Sequence, residues 1–155
     1  MLMKDLPDFC KKVRQVGVDI KIDTNGFFPA QLKHIVSSGL CDYVAMDVKN
    51  SFDKYSVTAG VKNADVYSVK ESIEFLKTSG IDHEFRTTVC KPLHEKSDLV
   101  KIAEFLGGNE KYFLQSFIDS GKIIGGGLSS YSKKEMEDML KEVVKFVPNA
   151  QLRGV

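Results

Sequence analysis

Four ionisable residues fall late in segments that read as parallel strands. Asp23 closes Val18-Asp-Ile-Lys-Ile-Asp23, Asp47 and Lys49 close Asp42-Tyr-Val-Ala-Met-Asp-Val-Lys49, and Arg86 stands within His83-Glu-Phe-Arg-Thr-Thr-Val89. Side chains alternate along a strand, so Asp47 and Lys49 share one face, and Asp23 and Arg86 lie on the polar faces of their own strands. Two carboxylates and two cations are costly to bury unless a ligand or an ion completes the pairing. The chemistry they suggest is the binding of such a ligand, with Thr88 and Gln115 as further polar candidates, or acid–base work by Asp47 and Lys49 on a small phosphorylated substrate. The plain alternative is local: Asn25-Gly26 is a common turn, Asp23 or Thr24 can cap the following helix, and an exposed Asp47–Lys49 pair contributes only about 0–1 kcal/mol.

Other polar signals point away from chemistry. His34 and His94 have no Cys, Asp or Glu at ligand spacing and read as surface residues. Gly125-Gly-Gly127 lacks the Lys-Ser/Thr of a phosphate loop and reads as flexible. Tyr112, Phe113 and Phe117 read as packing residues. Cys10, Cys41 and Cys90 form no C-x-x-C pair and read as free thiols in a reducing compartment.

The elements that position these residues follow from hydrophobic periodicity. A helix is expected from Asp5 to Val16, capped by Asp5, with a buried stripe of Leu6, Phe9, Cys10, Val13 and Val16. After the Val18–Asp23 strand come a helix over Pro29–Ser38, the Asp42–Val48 strand, a helix over Ala64–Ser79 and the His83–Val89 strand. Then follow a helix over Ser97–Leu106, the Lys111–Phe117 strand and a Gly/Ser loop from Asp119 to Tyr131. Ser132 and Glu135 make a capping box for a last helix that buries Met136, Met139, Leu140, Val143 and Val147, and a short strand lies around Gln151-Leu152.

Strict alternation of helix and strand calls for a parallel sheet with right-handed crossovers. The strands are apolar on one side only: Val18, Ile20 and Ile22 oppose Asp19, Lys21 and Asp23, and Val44, Met46 and Val48 oppose Tyr43, Ala45, Asp47 and Lys49. A sheet covered on both faces reads as continuous apolar runs. The expected fold is therefore α/β, a partial (β/α) barrel with helices on the outer face only and ligand residues at the strand ends.

With 155 residues, 43% of them hydrophobic, the chain suits one folded domain. Lys+Arg of 22 against Asp+Glu of 21 gives a net charge of +1 and no basic arm for nucleic acid. No run is long enough to span a membrane, and Met1-Leu-Met-Lys-Asp5 lacks the pattern of a signal peptide, so a cytoplasmic protein is expected.

Five segments resemble a known family in order and spacing. Lys21-Ile-Asp-Thr-Asn-Gly26, Asp42-Tyr-Val-Ala-Met-Asp-Val-Lys49, Glu84-Phe-Arg-Thr-Thr-Val89, Leu114-Gln-Ser-Phe117 and Leu152-Arg-Gly-Val155 are similar to the radical S-adenosylmethionine proteins that activate anaerobic ribonucleoside-triphosphate reductase. The pyruvate formate-lyase activating enzyme is a more distant relative. The resemblance implies that residues 1–155 are a single domain, the C-terminal part of a (β/α)₆ barrel that binds S-adenosylmethionine. In the parent family a 4Fe–4S cluster cleaves that cofactor, and the resulting radical takes a hydrogen atom from a glycine of the partner, a glycyl radical enzyme such as anaerobic ribonucleotide reductase.

By position, the resemblance assigns Asp23, Thr24 and Asp47, with the Ala45 carbonyl, to a monovalent cation beside the cofactor's carboxylate. It assigns Asn25, Lys49, Arg86 and Gln115 to the cofactor pocket; Phe117 stands where the more distant relative has a His. The family's C-x-x-x-C-x-x-C cluster loop has no counterpart in this sequence, and Cys10, Cys41 and Cys90 are too widely spaced to replace it. The chain alone is therefore expected to form no cluster, to generate no radical, and to self-associate through the edge strand ending at Asp23 or the Leu6/Phe9/Val13 helix. A catalytically inert partner-binding module and an unrelated α/β enzyme are the competing functions.

Overall fold

A computed structural model describes residues 5–119 and 126–155. Five strands, β1 (Lys21–Thr24), β2 (Tyr43–Asp47), β3 (Asp82–Val89), β4 (Tyr112–Ser116) and β5 (Gln151–Arg153), form a parallel sheet in chain order. β1 and β5 are its edges, so the sheet is unclosed, as a partial barrel requires. The helices are α1 (Leu6–Arg14), α2 (Pro29–Ser37), α3 (Tyr55–Ala59), α4 (Val66–Ser79), α5 (Lys96–Leu106) and α6 (Lys133–Val143). The expected strict alternation fails at one place, because α3 and α4 both lie between β2 and β3. Part of the expected Gly/Ser loop, including Gly125, lies outside the described residues, as do Met1–Lys4.

The chain divides into two compact units, residues up to Asp47 with Asp65–Glu84, and Val48–Ala64 with Phe85–Val155. In the first, α1 departs from expectation. Asp5 occupies the N-cap position without a side-chain cap bond, and the helix stops at Arg14. Of the expected stripe only Cys10 is buried; Phe9 is 56% and Val16 76% exposed. What docks this end of the chain is polar: Arg14 donates to the Gly39 carbonyl (2.9 Å) and the Asp42 carboxylate (2.7 Å), which also accepts the Ile20 N–H (2.7 Å). That backbone bond first, and Arg14 second, hold the Asp42 carboxyl below its usual range. The strand begins at Lys21, so Val18 stays half exposed rather than joining the core.

α2 and α4 bury Leu32, Ile35, Val69, Ile73 and Leu76 at helical spacing. Each such side chain contributes roughly 2 kcal/mol relative to exposure. Asp65 caps α4 by accepting the Ser68 N–H. Buried Ser72 donates to the Gly26 carbonyl (2.8 Å). Gly26 is required there: its φ is +76°, and an added Cβ would sit 2.1 Å from Met46 Cε.

In the second unit β3, β4 and β5 pair in parallel, with Phe85 across from Tyr112 and Leu114 across from Leu152. Phe85, Val89, Tyr112 and Leu114 form its fully buried side. The Ser132–Glu135 capping box is present, and α6 packs on α5, β4 and β5 through buried Met136, Met139 and Val143, with Leu140 half-buried. Val147 is buried just beyond the helix.

Candidate functional site

The candidate residues fall in both units, and each set follows from strand alternation and register. In the first unit Asp23 lies across from Ala45 and Thr24 across from Met46. Asp23 and Asp47 therefore share one face of the β1–β2 pair, with fully buried Ala45 between them in register. Asp23 is open, its side chain 61% exposed and 4.0 Å from Lys21. Lys21 also lies 3.5 Å from Glu84, a carboxylate with only 6% of its side chain exposed, which accepts a bond from the Tyr43 hydroxyl (3.1 Å). Alternation identifies Glu84 as a polar-face residue; its burial comes from Tyr43 and Lys21, which are far away in sequence.

Thr24 turns the other way, onto the buried face with Ile22. Its hydroxyl accepts the Gly26 N–H (3.2 Å), and Asn25 Oδ1 accepts the Phe27 N–H (3.2 Å). Both side chains organise the turn that ends β1.

In the second unit Arg86 lies across from Phe113, Thr88 from Gln115, and Gln115 from Arg153. These five side chains share one face, and the Arg153 guanidinium stacks 3.7 Å above the Phe113 ring. Arg86, Gln115 and Lys49 are half-buried, and Thr88 is exposed.

The segment that leaves β2 is anchored more heavily than its sequence suggests. The Val48 N–H donates to the Arg86 carbonyl (2.8 Å), and the Val48 carbonyl accepts from Thr87 Oγ1 (2.7 Å), which is also bonded to the Tyr112 hydroxyl. Asn50 is fully buried and donates to Thr58 and to the Leu93 carbonyl, while its Oδ1 accepts the Ser51 N–H (2.7 Å). Ser51 donates to Asp98, whose carboxylate also accepts from Lys54 (2.9 Å) and the Glu95 N–H (2.8 Å). Burial acts to raise the Asp98 carboxyl, but these bonds, led by Lys54, hold it below the ordinary range. His94, expected at the surface, is instead 1% exposed, with Nε2 2.8 Å from the Lys49 carbonyl. His34 is exposed.

Cys10, Cys41 and Cys90 are free and buried; burial raises all three thiols and, with Cys10 and Asp42 nearby, pushes Cys41 to about 11. Among the described residues no group of three His, Cys, Asp or Glu side chains is placed to hold a metal ion. Nor is any described helix long and apolar enough to cross a membrane.

No family model matches the chain. Among curated proteins it is similar to one named "Putative glycyl-radical enzyme activating enzyme" from Methanocaldococcus jannaschii, with 27% identity over 161 aligned positions that cover 99% of this chain and 67% of that protein. Among solved structures it resembles a domain of pyruvate-formate lyase-activating enzyme from Bacteroides vulgatus. The TM-score is 0.75 at 13% identity, covering 99% of this chain and 96% of that one, so this likeness shows the fold. The name of the curated relative agrees with the activating role of the family that the five sequence segments resemble, and the structural neighbour agrees with the expected α/β fold.

Proposed function

We propose that residues 1–155 are the C-terminal, S-adenosylmethionine-binding part of a (β/α)₆ activating protein for a glycyl radical enzyme, such as an anaerobic ribonucleotide reductase, in the cytoplasm. The observation that carries it is the alignment of 99% of the chain with a relative named as an activating enzyme.

Asp23, Thr24 and Asp47, with the Ala45 carbonyl, are assigned to a monovalent cation beside the cofactor's carboxylate. The β1–β2 register supports this for the two carboxylates, which share a face with Ala45 between them. The register gives no such support to Thr24, whose side chain lies on the other face with its hydroxyl accepting the Gly26 N–H. Asn25, Lys49, Arg86 and Gln115 are assigned polar contacts with the cofactor. No residue of this chain is assigned to the iron–sulfur cluster, so the chain by itself binds the cofactor without cleaving it.

Equilibrium binding of S-adenosylmethionine to the purified chain tests the assignment. Asp47→Ala should weaken binding at least about tenfold, the order expected for a charge-assisted contact, with little change in Tm. Equal loss of affinity and stability would reduce Asp47 to a structural residue. Pairing of the β1 edge with a second copy belongs to the same proposal. Light scattering on dilute samples should then show a dimer, and a monomer removes that part.

A further inference from the structure

The strongest unassigned feature is the imidazole of His94. It is 1% exposed, lies in the loop between β3 and α5, and reaches 45 residues back along the chain to the Lys49 carbonyl (Nε2···O 2.8 Å). A carbonyl only accepts, so Nε2 carries the proton. In the neutral ring Nδ1 is then an acceptor, and the Cys90 N–H points at it from 3.3 Å. The His94 backbone is fixed on both sides, its N–H donating to the Cys90 carbonyl (3.0 Å) and its own carbonyl accepting from the Tyr131 hydroxyl. Next to the same carbonyl, Asn50 bridges Thr58 and Leu93. The residue immediately before it, Val48, is held by Arg86 and Thr87.

We propose that His94 is a positioning residue: by holding the Lys49 carbonyl it sets the backbone from which the Lys49 side chain reaches the cofactor. A buried imidazole with a bond at each nitrogen is a rigid strut, and the Lys49 side chain starts from the backbone that this strut holds, so the strut fixes the point from which the ammonium reaches out. The functional part of this inference rests on the assignment of Lys49 to the cofactor; the structural part does not.

The experiment uses the full chain and S-adenosylmethionine as the probe, with Lys49→Ala, His94→Ala, His94→Gln and the Lys49→Ala/His94→Ala double variant. Backbone amide hydrogen exchange is read on each. His94→Ala should weaken binding about tenfold, the factor carried by one buried hydrogen bond. The glutamine amide can donate in place of Nε2, so His94→Gln should recover most of that loss. The double variant should bind no more weakly than Lys49→Ala alone, because His94 acts through Lys49. Additive losses would overturn the proposal, as would a fall in Tm on His94→Ala with no loss of binding.

If the parent chain binds no S-adenosylmethionine, or Lys49→Ala binds as tightly as the parent, it is the assignment of Lys49 that fails. Exchange then decides the strut: in His94→Ala the Ser51 N–H should exchange at least about tenfold faster relative to Leu114 in β4, and His94→Gln should restore it. An unchanged ratio overturns the strut itself.

Discussion

The turn that ends β1 and the segment that leaves β2 both carry candidate ligand residues, yet they are built in opposite ways. At the first, Thr24 and Asn25 bond to backbone N–H groups two residues on, and Asp23 stands open beside Lys21. At the second, every residue from Val48 to Ser51 is bonded to groups far away in sequence, most of them buried. Local capping leaves side chains free to adapt to what they meet. A buried long-range network fixes them before anything arrives, and it fails as a whole when one member is lost.

The largest test of that contrast is Asp98→Ala. It removes the acceptor for Ser51, Lys54 and the Glu95 N–H, and of these donors Ser51 is buried. A loss of about 3 kcal/mol is expected in urea denaturation, and a loss below about 1 kcal/mol would mean that the network is not cooperative. Next comes the one tight point of the β1 turn. Gly26→Ala meets both a positive φ and the end of the Met46 side chain, which is flexible enough to give way. About 2 kcal/mol is expected from thermal melts; in a Met46→Ala background, compared with Met46→Ala itself because removing that buried side chain has its own cost, Gly26→Ala should lose only the backbone part.

A smaller effect appears in acid. Asp98 is held below its ordinary value in the folded state, so its contribution is present above the unfolded carboxylate value and is lost as pH falls through the folded one. The parent should lose stability below about pH 4 more steeply than Asp98→Asn, which has nothing to protonate there. Parallel acid titrations of the two melts would show the reverse if burial rather than Lys54 dominated. The smallest effect is expected from Asp23→Ala. Its pair with Lys21 is open to solvent, so stability should change by less than about 0.5 kcal/mol. A larger loss would show that the β1 end is as tightly built as the β2 end.

The same contrast explains what could be read in the sequence. The turn at Thr24-Asn25-Gly26 and the Ser132–Glu135 box were legible because their partners lie two or three residues away. The strands and their polar faces were legible from alternation, which placed Asp23, Asp47, Arg86 and Gln115. His94 was misplaced because the absence of Cys, Asp or Glu at ligand spacing points to the surface, whereas its partner, a backbone carbonyl, has no sequence signal. Asn50, Ser51 and Asp98 gave no sign of joining for the same reason. α3 was missed because five residues containing Val57 and Thr58 are too few to show a helical period. α1 was overread: its apolar spacing is helical, but Phe9 and Val16 remain open.

The two compact units are interleaved along the chain, the first resuming at Asp65 after the second has begun at Val48. During synthesis, then, neither can be completed in one uninterrupted stretch. β1 and β2 leave the ribosome without α4, whose Ser72 holds the Gly26 carbonyl. The Val48–Ala64 segment must wait, with Asn50 and Ser51 lacking their distant partners, until Leu93 and Asp98 have been made. A nascent chain whose first 64 residues have emerged from the ribosome would therefore expose the unfinished parts of both units at once, and it is at that stage, rather than at full length, that the protein would most need a chaperone.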